Sequence, residues 1–411
     1  MKTLFVHQNF PGQFRHLAPA LAANPRNTVF ALSMQPPSPG DWPGIKHVRY
    51  GVLRGSTPGI HPWVVDLETK IIRGEAVLHA ARQLRDAGFV PDVIVAHPGW
   101  GESLFLKDVW PQARLGIYCE FYYNAQGADV GFDPEFATED ADAAARLRLK
   151  NANNLLHFEV ADAGLAPTHW QASTFPPSFR QQITVVHDGI ETGAIVPNPA
   201  VRVRLGNGVE LGCGDEVITF VNRNLEPYRG YHIFMRALPD MLRRRPRAHV
   251  LLVGGSDVSY GARPPQGQSW MDLFAAEARA CMPEDDWERV HFLGQMPHAH
   301  FVGLLQLSTV HVYLTYPFVL GWSLLEAMSA GCAIVASNTQ PVHEAIAHGD
   351  TGRLVDFFDI TGLANEVCDL LTNPGERARL GARARAFVQE RYDLQKVCLP
   401  RQMQWVQELA A

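Results

Sequence analysis

The sequence predicts an α/β protein of two doubly wound, parallel-sheet domains, and three observations carry that prediction. Its 411 residues exceed what one ordinary core organises. Short apolar, β-branched runs alternate with longer helical stretches, which is the rhythm of a parallel sheet with crossover helices. That rhythm halts in a stretch rich in Gly, Pro and polar residues from Gly189 to Asp215, then begins again.

In the first half, Lys2 to His7 reads as a strand followed by a helical Gln13 to Ala23. Pro91 to His97 precedes a helical Glu102 to Val109, Ala113 to Glu120 follows, and Ile183 to Asp188 closes the half. The second half restarts with Glu216 to Asn222, Ala248 to Gly254, Arg289 to Gly294, Val310 to Leu314 and Ala333 to Ser337, each followed by a helical segment. Alternation of apolar and polar residues around Gly206-Asn207-Gly208 predicts a small hairpin in the linker. The predicted organisation is a first domain over 1–190, a linker with the hairpin over 191–215, a second domain over 216–390, and a closing helix over 391–411 that crosses back to the first. Pro400 is expected to interrupt that closing helix.

Composition removes several function classes. Hydrophobic residues at 46% and charged residues at 19% are those of a folded globular chain. No run approaches the ~18 continuous apolar residues of a membrane span, and Met1 to Val6 has no signal-peptide core, so a soluble, cytoplasmic protein is expected. Cys119, Cys213, Cys281, Cys332, Cys368 and Cys398 show no C-x-x-C pair, which argues against a disulfide framework or zinc ribbon and predicts buried thiols. A net charge of -6 argues against nucleic acid as a partner. Arg243, Arg244, Arg245 and Arg247 cluster at an apparent helix end, where cations complement the dipole; a peripheral membrane contact is the second account of them.

In open α/β sheets ligands bind beyond the carboxyl ends of the strands, so the residues just after each strand carry most information. After Val221 comes Asn222-Arg223-Asn224-Leu225-Glu226-Pro227-Tyr228-Arg229-Gly230. Arg223 and Arg229, six residues apart, can converge on one diphosphate, for which a planar guanidinium fork is suited; two surface arginines are the bland account. Gly321-Trp322-Ser323-Leu324-Leu325-Glu326 opens a helix. Ser323 and Glu326 have capping-box spacing, and on local pattern alone Glu326 caps its own helix. The functional account gives the amides after Gly321 a phosphate and Glu326 a ribose.

Taken together these residues resemble the family 4 glycosyltransferases. The resemblance rests on Arg223 with Arg229-Gly230, the Gly254-Gly255 pair, the Phe292-Leu293-Gly294 strand end, Leu325-Glu326-Ala327-Met328 with Gly331, and Glu344 within His343-Glu344-Ala345-Ile346. It covers nearly the whole chain and is strongest from Val217 to Leu354. It implies a GT-B fold, with two Rossmann-like domains facing across a cleft. The first would be the acceptor domain and the second the donor domain, in a retaining, metal-independent transferase that uses no cofactor. The donor substrate would be a UDP- or GDP-sugar, and the acceptor a saccharide or small molecule of polysaccharide or glycoconjugate biosynthesis. By the same resemblance Arg223 and Arg229 bind the donor diphosphate, Arg229 standing where the family usually has Lys. Glu326 holds the ribose, Gly294 and its neighbours lie near the base, Gly254 and Gly255 belong to the donor site, and Gly321, Trp322, Ser323 and Leu324 meet the phosphates.

Two departures matter. The family's second Glu, eight residues before the ribose-binding one and close to the transferred sugar, is Phe318 here. Where many members place a His after the strand Ala113 to Cys119, this chain has Glu120, followed by Phe121, Tyr122 and Tyr123. Glu120 is a candidate for a sugar or acceptor hydroxyl, or a strand-end carboxylate paired with an Arg. His97 ends the strand before it and is either structural or a catalytic candidate in the same region. Gly12, in Phe10-Pro11-Gly12-Gln13, lets backbone approach the donor or merely supplies a tight turn. A nucleotide-sugar epimerase or phosphorylase of the same fold, and a catalytically silent nucleotide-sugar-binding partner kept in view by Phe318, are the competing functions.

Overall fold

The computed structural model describes residues 1–36, 42–137 and 140–411. The apolar runs form two parallel sheets, each in its own unit: Met1–Gly131, Thr138–Gly189 and Gln395–Ala411 make the first, Phe132–Ala137 and Ile190–Leu394 the second.

The first sheet contains β1 (Lys2–Val6), β2 (Thr28–Ser33), β3 (Ile45–Arg49), β4 (Val93–Ala96), β5 (Arg114–Tyr118), β6 (Ala163–Ala166) and β7 (Ile183–Val185). Their spatial order is β3-β2-β1-β4-β5-β6-β7, every pair parallel. The central strands are buried on both faces, which is why they read as unbroken apolar runs instead of alternating ones. Leu4, Val6, Ile94 and Ala96 enter one core layer, and Phe5, Val93 and Val95 the other. Edge strand β3 instead exposes Lys46 and Arg49, charges that discourage further strand pairing.

Next along the chain, within the second unit, β8 (Arg202–Arg204) pairs antiparallel with β9 (Glu210–Gly212) around the Gly206-Asn207-Gly208 turn. The second sheet contains β10 (Val217–Asn224), β11 (His249–Gly255), β12 (Val290–Phe292), β13 (Val310–Tyr313), β14 (Ala333–Ser337) and β15 (Arg353–Val355). Its order is β12-β11-β10-β13-β14-β15, again wholly parallel. In both sheets the strand order reverses beside a central strand, between β1 and β4 in one and between β10 and β13 in the other. Loops leave in opposite directions at such a point and open a crevice.

Three local expectations are corrected. The tail breaks before Pro400, not at it. A helix over Pro374–Arg391 ends, a π-turn spans Leu394–Cys398, and Pro400 sits in the first turn of Leu399–Ala410, where its missing N–H removes no helical bond. Cys213 and Cys281 are exposed while the other four cysteines are buried, because the exposed pair falls in turns after β9 and after the helix Trp270–Arg279. Helix is also shorter than expected early on, with Leu106–Val109 in place of Glu102 to Val109 and a break between Gly12–Phe14 and Leu17–Ala22. The arginine cluster meets carboxylates: Arg243 and Arg244 pair with Asp240, and Arg245 and Arg247 with Glu216.

One short segment had no signal in the sequence. Residues Phe132–Ala137 pack with the second unit although the chain around them belongs to the first. Phe132 lies against Tyr316, Phe357 and Phe358, and Phe136 against His232, Trp270 and Phe274. Between them the Asp133 carboxylate is buried, accepting the Tyr316 hydroxyl at 2.7 Å and lying 3.0 Å from His232 Nε2. Arg236 donates two hydrogen bonds to Glu135 and two to Glu277. Ligand-capable atoms of Asp133, Glu135 and His232 lie within 4.8 Å of one another, but the Arg236 guanidinium already neutralises Glu135, so the group reads as an ion-pair clasp. Asp133→Ala is expected to destabilise the protein by about 1–3 kcal/mol, because it leaves the buried Tyr316 hydroxyl without its acceptor. An unchanged thermal unfolding midpoint would contradict this.

Fully buried histidines set a pH limit on the fold. Burial holds His157 down at about 4, and His187 and His311 at about 3. Below the ordinary value of 6.5 the unfolded chain takes up protons that the folded core refuses, so each such residue removes up to about 1.4 kcal/mol per pH unit between there and its folded value. Stability against denaturant is therefore expected to fall steeply from pH 6.5 to 5, with a shallower slope in His311→Asn. A flat profile over that range would show that these rings are not held neutral.

Candidate functional site

In the second unit the reversal point falls between the ends of β10 and β13. Register between β10 and β11 shifts between Val221 and Asn224, a bulge that contains Asn222 and Arg223. Bulges re-aim side chains, and Arg223 is exposed, with no ion pair among the described residues. The chain then makes a short 3-10 turn over Pro227–Arg229 and enters the helix Tyr231–Arg244 through Gly230 at φ +69°. Only glycine fits there, since a Cβ would stand 2.3 Å from Leu314 Cβ.

Arg229 is buried and tied to the neighbouring strand end. Its Nη1 donates to Thr315 Oγ1 at 2.7 Å and to the Val319 carbonyl at 3.0 Å, both just beyond β13. The Tyr260 and Phe318 ring centroids lie 5.6 and 5.8 Å from its Cζ. Phe318 is itself buried, edge-on to Tyr228 and Tyr260. A guanidinium so fixed presents its remaining donors without the entropy cost of ordering a long side chain.

The glycine positions gather at the same strand ends. Gly254 and Gly255 end β11, and the Gly254 amide donates to the Gly294 carbonyl at 3.1 Å. A Cβ on Gly255 would stand 2.6 Å from Asn224 Oδ1, so the loops after β10 and β11 run side by side. Gly321 caps the helix Trp322–Ser329, and its amide donates to Tyr313 Oη at 2.8 Å. Trp322 is partly exposed and Leu324 is wholly buried.

The capping box is not formed. The cap residue is Gly321, which has no side chain to offer, and Glu326 Oε1 shares a hydrogen bond with His298 Nε2 at 2.7 Å. The reason is positional: Gly321, not Ser323, is the cap, so Glu326 lies too far into the helix to reach back. The helix dipole at this end therefore meets no side-chain acceptor from the cap, an arrangement that suits an anion.

In the first unit the reversal point brings together His7, just beyond β1, and His97, just beyond β4. Their ring centroids are 5.4 Å apart, and Trp100 packs on both, at 4.9 Å from His7 and 4.6 Å from His97. His7 Nε2 shares a 2.8 Å hydrogen bond with Gln13 Oε1, and Gln13 Nε2 donates to Glu120 Oε1 at 3.2 Å. Glu120 Oε2 lies 3.6 Å from the buried His97 Nε2, beyond hydrogen-bond reach, while His97 Nδ1 accepts from the Gly99 amide. Burial and the neighbouring His97 push His7 down to about 3, so it is a neutral ring at physiological pH. Gly12, at φ +50°, is the close approach that permits this, because a Cβ there would stand 2.2 Å from the His7 ring.

His97, Glu120 and Gly12 thus share one cluster with His7 and Gln13; His7 ends the strand Lys2 to His7 as His97 ends Pro91 to His97, a signal the sequence carries, whereas nothing local marks Gln13. The aromatic run after β5 packs inward: Phe121 lies on Trp170, and Tyr122 on Phe158 and Phe175. Tyr123 instead takes the Lys150 ammonium over its ring at 3.7 Å.

Comparison with known proteins matches these two halves separately. Residues 25–195 fit the model described as glycosyl transferase family 4 group, and residues 210–387 the one described as glycosyl transferases group 1. The chain is 30% identical over 214 residues to the D-inositol 3-phosphate glycosyltransferase of Acidothermus cellulolyticus, covering 50% of this chain and 44% of that one. It is 25% identical over 227 residues to the GDP-mannose-dependent alpha-(1-6)-phosphatidylinositol monomannoside mannosyltransferase of Mycolicibacterium smegmatis, covering 55% and 57%. The chain spans about half the length of these curated relatives. Among solved structures, the sucrose-phosphate synthase of Thermosynechococcus elongatus superposes with TM-score 0.73 at 18% identity over 100% of this chain and 99% of that one. HepE of Anabaena, in complex with UDP and glucose, superposes with TM-score 0.68 at 16% identity over 99% and 100%. Both sheets, the strand-end residues of the second unit and the two matched models place the chain in the family 4 glycosyltransferases, with the GT-B fold.

Proposed function

We propose that this chain is a retaining glycosyltransferase that moves a hexose-type sugar from a nucleoside diphosphate sugar to a saccharide or small-molecule acceptor. The observation that carries the proposal is the reversal point of the second unit, where the bulge bearing Arg223 and the anchored Arg229 lie at strand ends followed by a helix whose cap is Gly321. That is a diphosphate site by its chemistry: two guanidinium groups, backbone amides and a helix dipole. Glu326, which does not cap its helix, is the carboxylate for a ribose, and His298 orients it. A relative named for GDP-mannose, and a neighbour holding UDP and glucose, support a nucleotide-sugar donor.

As the sugar–phosphate bond breaks, negative charge grows on the leaving diphosphate. Arg223, Arg229 and the amides of Trp322, Ser323 and Leu324 stabilise that charge more in the transition state than in the ground state, which is what accelerates transfer. The departing phosphate oxygen takes the acceptor proton, so no protein base is assigned to that step, and these cationic groups do the work a metal would otherwise do. His97 Nε2 and Glu120, at the first unit's reversal point, are the groups for acceptor hydroxyls. Phe318 favours one competing reading, a nucleotide-sugar-binding protein without transfer, because no carboxylate occupies that position.

Arg223→Ala is expected to lower kcat/KM at least about a hundredfold, as loss of a charge-assisted phosphate contact formed most strongly in the transition state does. Glu326→Ala should raise the donor KM with a smaller change in kcat. Product analysis with UDP- and GDP-sugars and a panel of acceptors checks both. Normal turnover by Arg223→Ala would overturn the donor assignment, and wild-type donor binding without transfer or hydrolysis would favour the silent reading.

A further inference from the structure

A buried carboxylate stands between the two arginines and is used by neither as an ion-pair partner within bonding distance among the described residues. Glu226 lies three residues after Arg223 and three before Arg229, and its side chain is shielded from solvent. Burying a carboxylate is costly unless its oxygens are satisfied, so its partners identify its task. They lie 33 and 34 residues away: the amides of Ser259 and Tyr260 both donate to Glu226 Oε2, at 2.7 and 3.2 Å. Two further bonds lace the same loops together. Asn224 Nδ2 donates to Ser259 Oγ at 2.8 Å, and the Leu225 amide donates to the Gly255 carbonyl at 2.9 Å.

The consequence falls on Tyr260. With its backbone held, its ring lies 5.6 Å from Arg229 Cζ and packs against Phe318 at 4.8 Å between centroids. Arg229 is therefore fixed on one side by Thr315 and Val319 and faced on another by two aromatic rings. Cation–π contact of this kind holds a guanidinium in place while leaving its edge donors available.

We propose that Glu226 is a positioning residue for the donor diphosphate: by anchoring the Ser259 and Tyr260 amides it seats Tyr260 against Arg229 and so sets the guanidinium that meets the phosphates. This rests on the donor reading of Arg223 and Arg229. Glu226 does not touch the reacting atoms; it acts through Tyr260. Desolvation raises its carboxyl above the ordinary value, and the nearby Arg229 and Arg223 oppose that rise, so its charge is coupled to both donor-site arginines.

The test is titration of UDP and GDP, separately, against the full chain as wild type, Glu226→Ala, Glu226→Gln, Tyr260→Ala, the Glu226→Ala/Tyr260→Ala double variant, and Arg223→Ala. Glu226→Ala and Tyr260→Ala should each weaken the nucleotide that wild type binds by about tenfold, the scale of a lost buried acceptor or a desolvated cation–π contact. The double variant should be no weaker than either single one, as for residues acting in series. Glu226→Gln keeps an oxygen for both amides and should recover affinity to within about threefold of wild type. Amide exchange at Ser259 and Tyr260 should lose protection in Glu226→Ala and keep it in Glu226→Gln, a readout independent of binding. Additive losses, or wild-type affinity in Glu226→Ala, would overturn the inference while Arg223→Ala still abolished binding. A wild type that binds neither nucleotide would overturn the donor reading, and this inference with it.

Discussion

Parallel pairing of a central strand with neighbours on both sides is the constraint on which the rest depends. Because β1 pairs with β2 and β4, and β10 with β11 and β13, each sheet must reverse its strand order beside that central strand. Connections then leave toward opposite sides, and the strand ends between them are not covered by backbone. Polar and charged side chains stand at both gaps: His7 and His97 in one, Arg223, Asn224 and Thr315 in the other.

What occupies the gaps is governed by the cost of burying polar groups. Arg229 is buried, so it must spend donors on Thr315 and Val319. Glu226 is buried, so it must find two amides. His7 meets the same demand by staying neutral and sharing a hydrogen bond with Gln13. These bonds give little net stability, since water would satisfy the same groups in the unfolded chain. Their effect is specificity of geometry: each fixed side chain holds the next, and a rigid charged site needs less reorganisation when a ligand's charge changes.

Much of this was legible in the sequence, for a physical reason. Strands such as Val93–Ala96 and Ala333–Ser337 are buried on both faces and so announce themselves as apolar runs, and the residues just after them inherit a known place in the fold. Partnerships between distant segments were not legible. Gln13 meets Glu120 across 107 positions, and Glu226 meets Ser259 across 33, with no periodicity to link them. The Phe132–Ala137 segment has the composition of a turn, and nothing in Phe-Asp-Pro-Glu-Phe shows that His232 and Tyr316 will be its partners. The Ser323 and Glu326 pair misled in the other direction, because capping-box spacing is informative only when the serine is the cap.

Phe318 bears on how the arginines are held. On the donor reading, a carboxylate at that position would offer an acceptor to sugar hydroxyls but would also lie near an anionic diphosphate. A phenyl ring gives up the first effect and removes the second. Packed against Tyr260 near Arg229, it also excludes water, and the attraction between a guanidinium and a phosphate strengthens as the local dielectric falls. On that reading, Phe318 shifts recognition away from the transferred sugar and toward the leaving group. A site built this way depends more heavily on how its arginines are held, which is the task that Thr315, Tyr260 and Glu226 share.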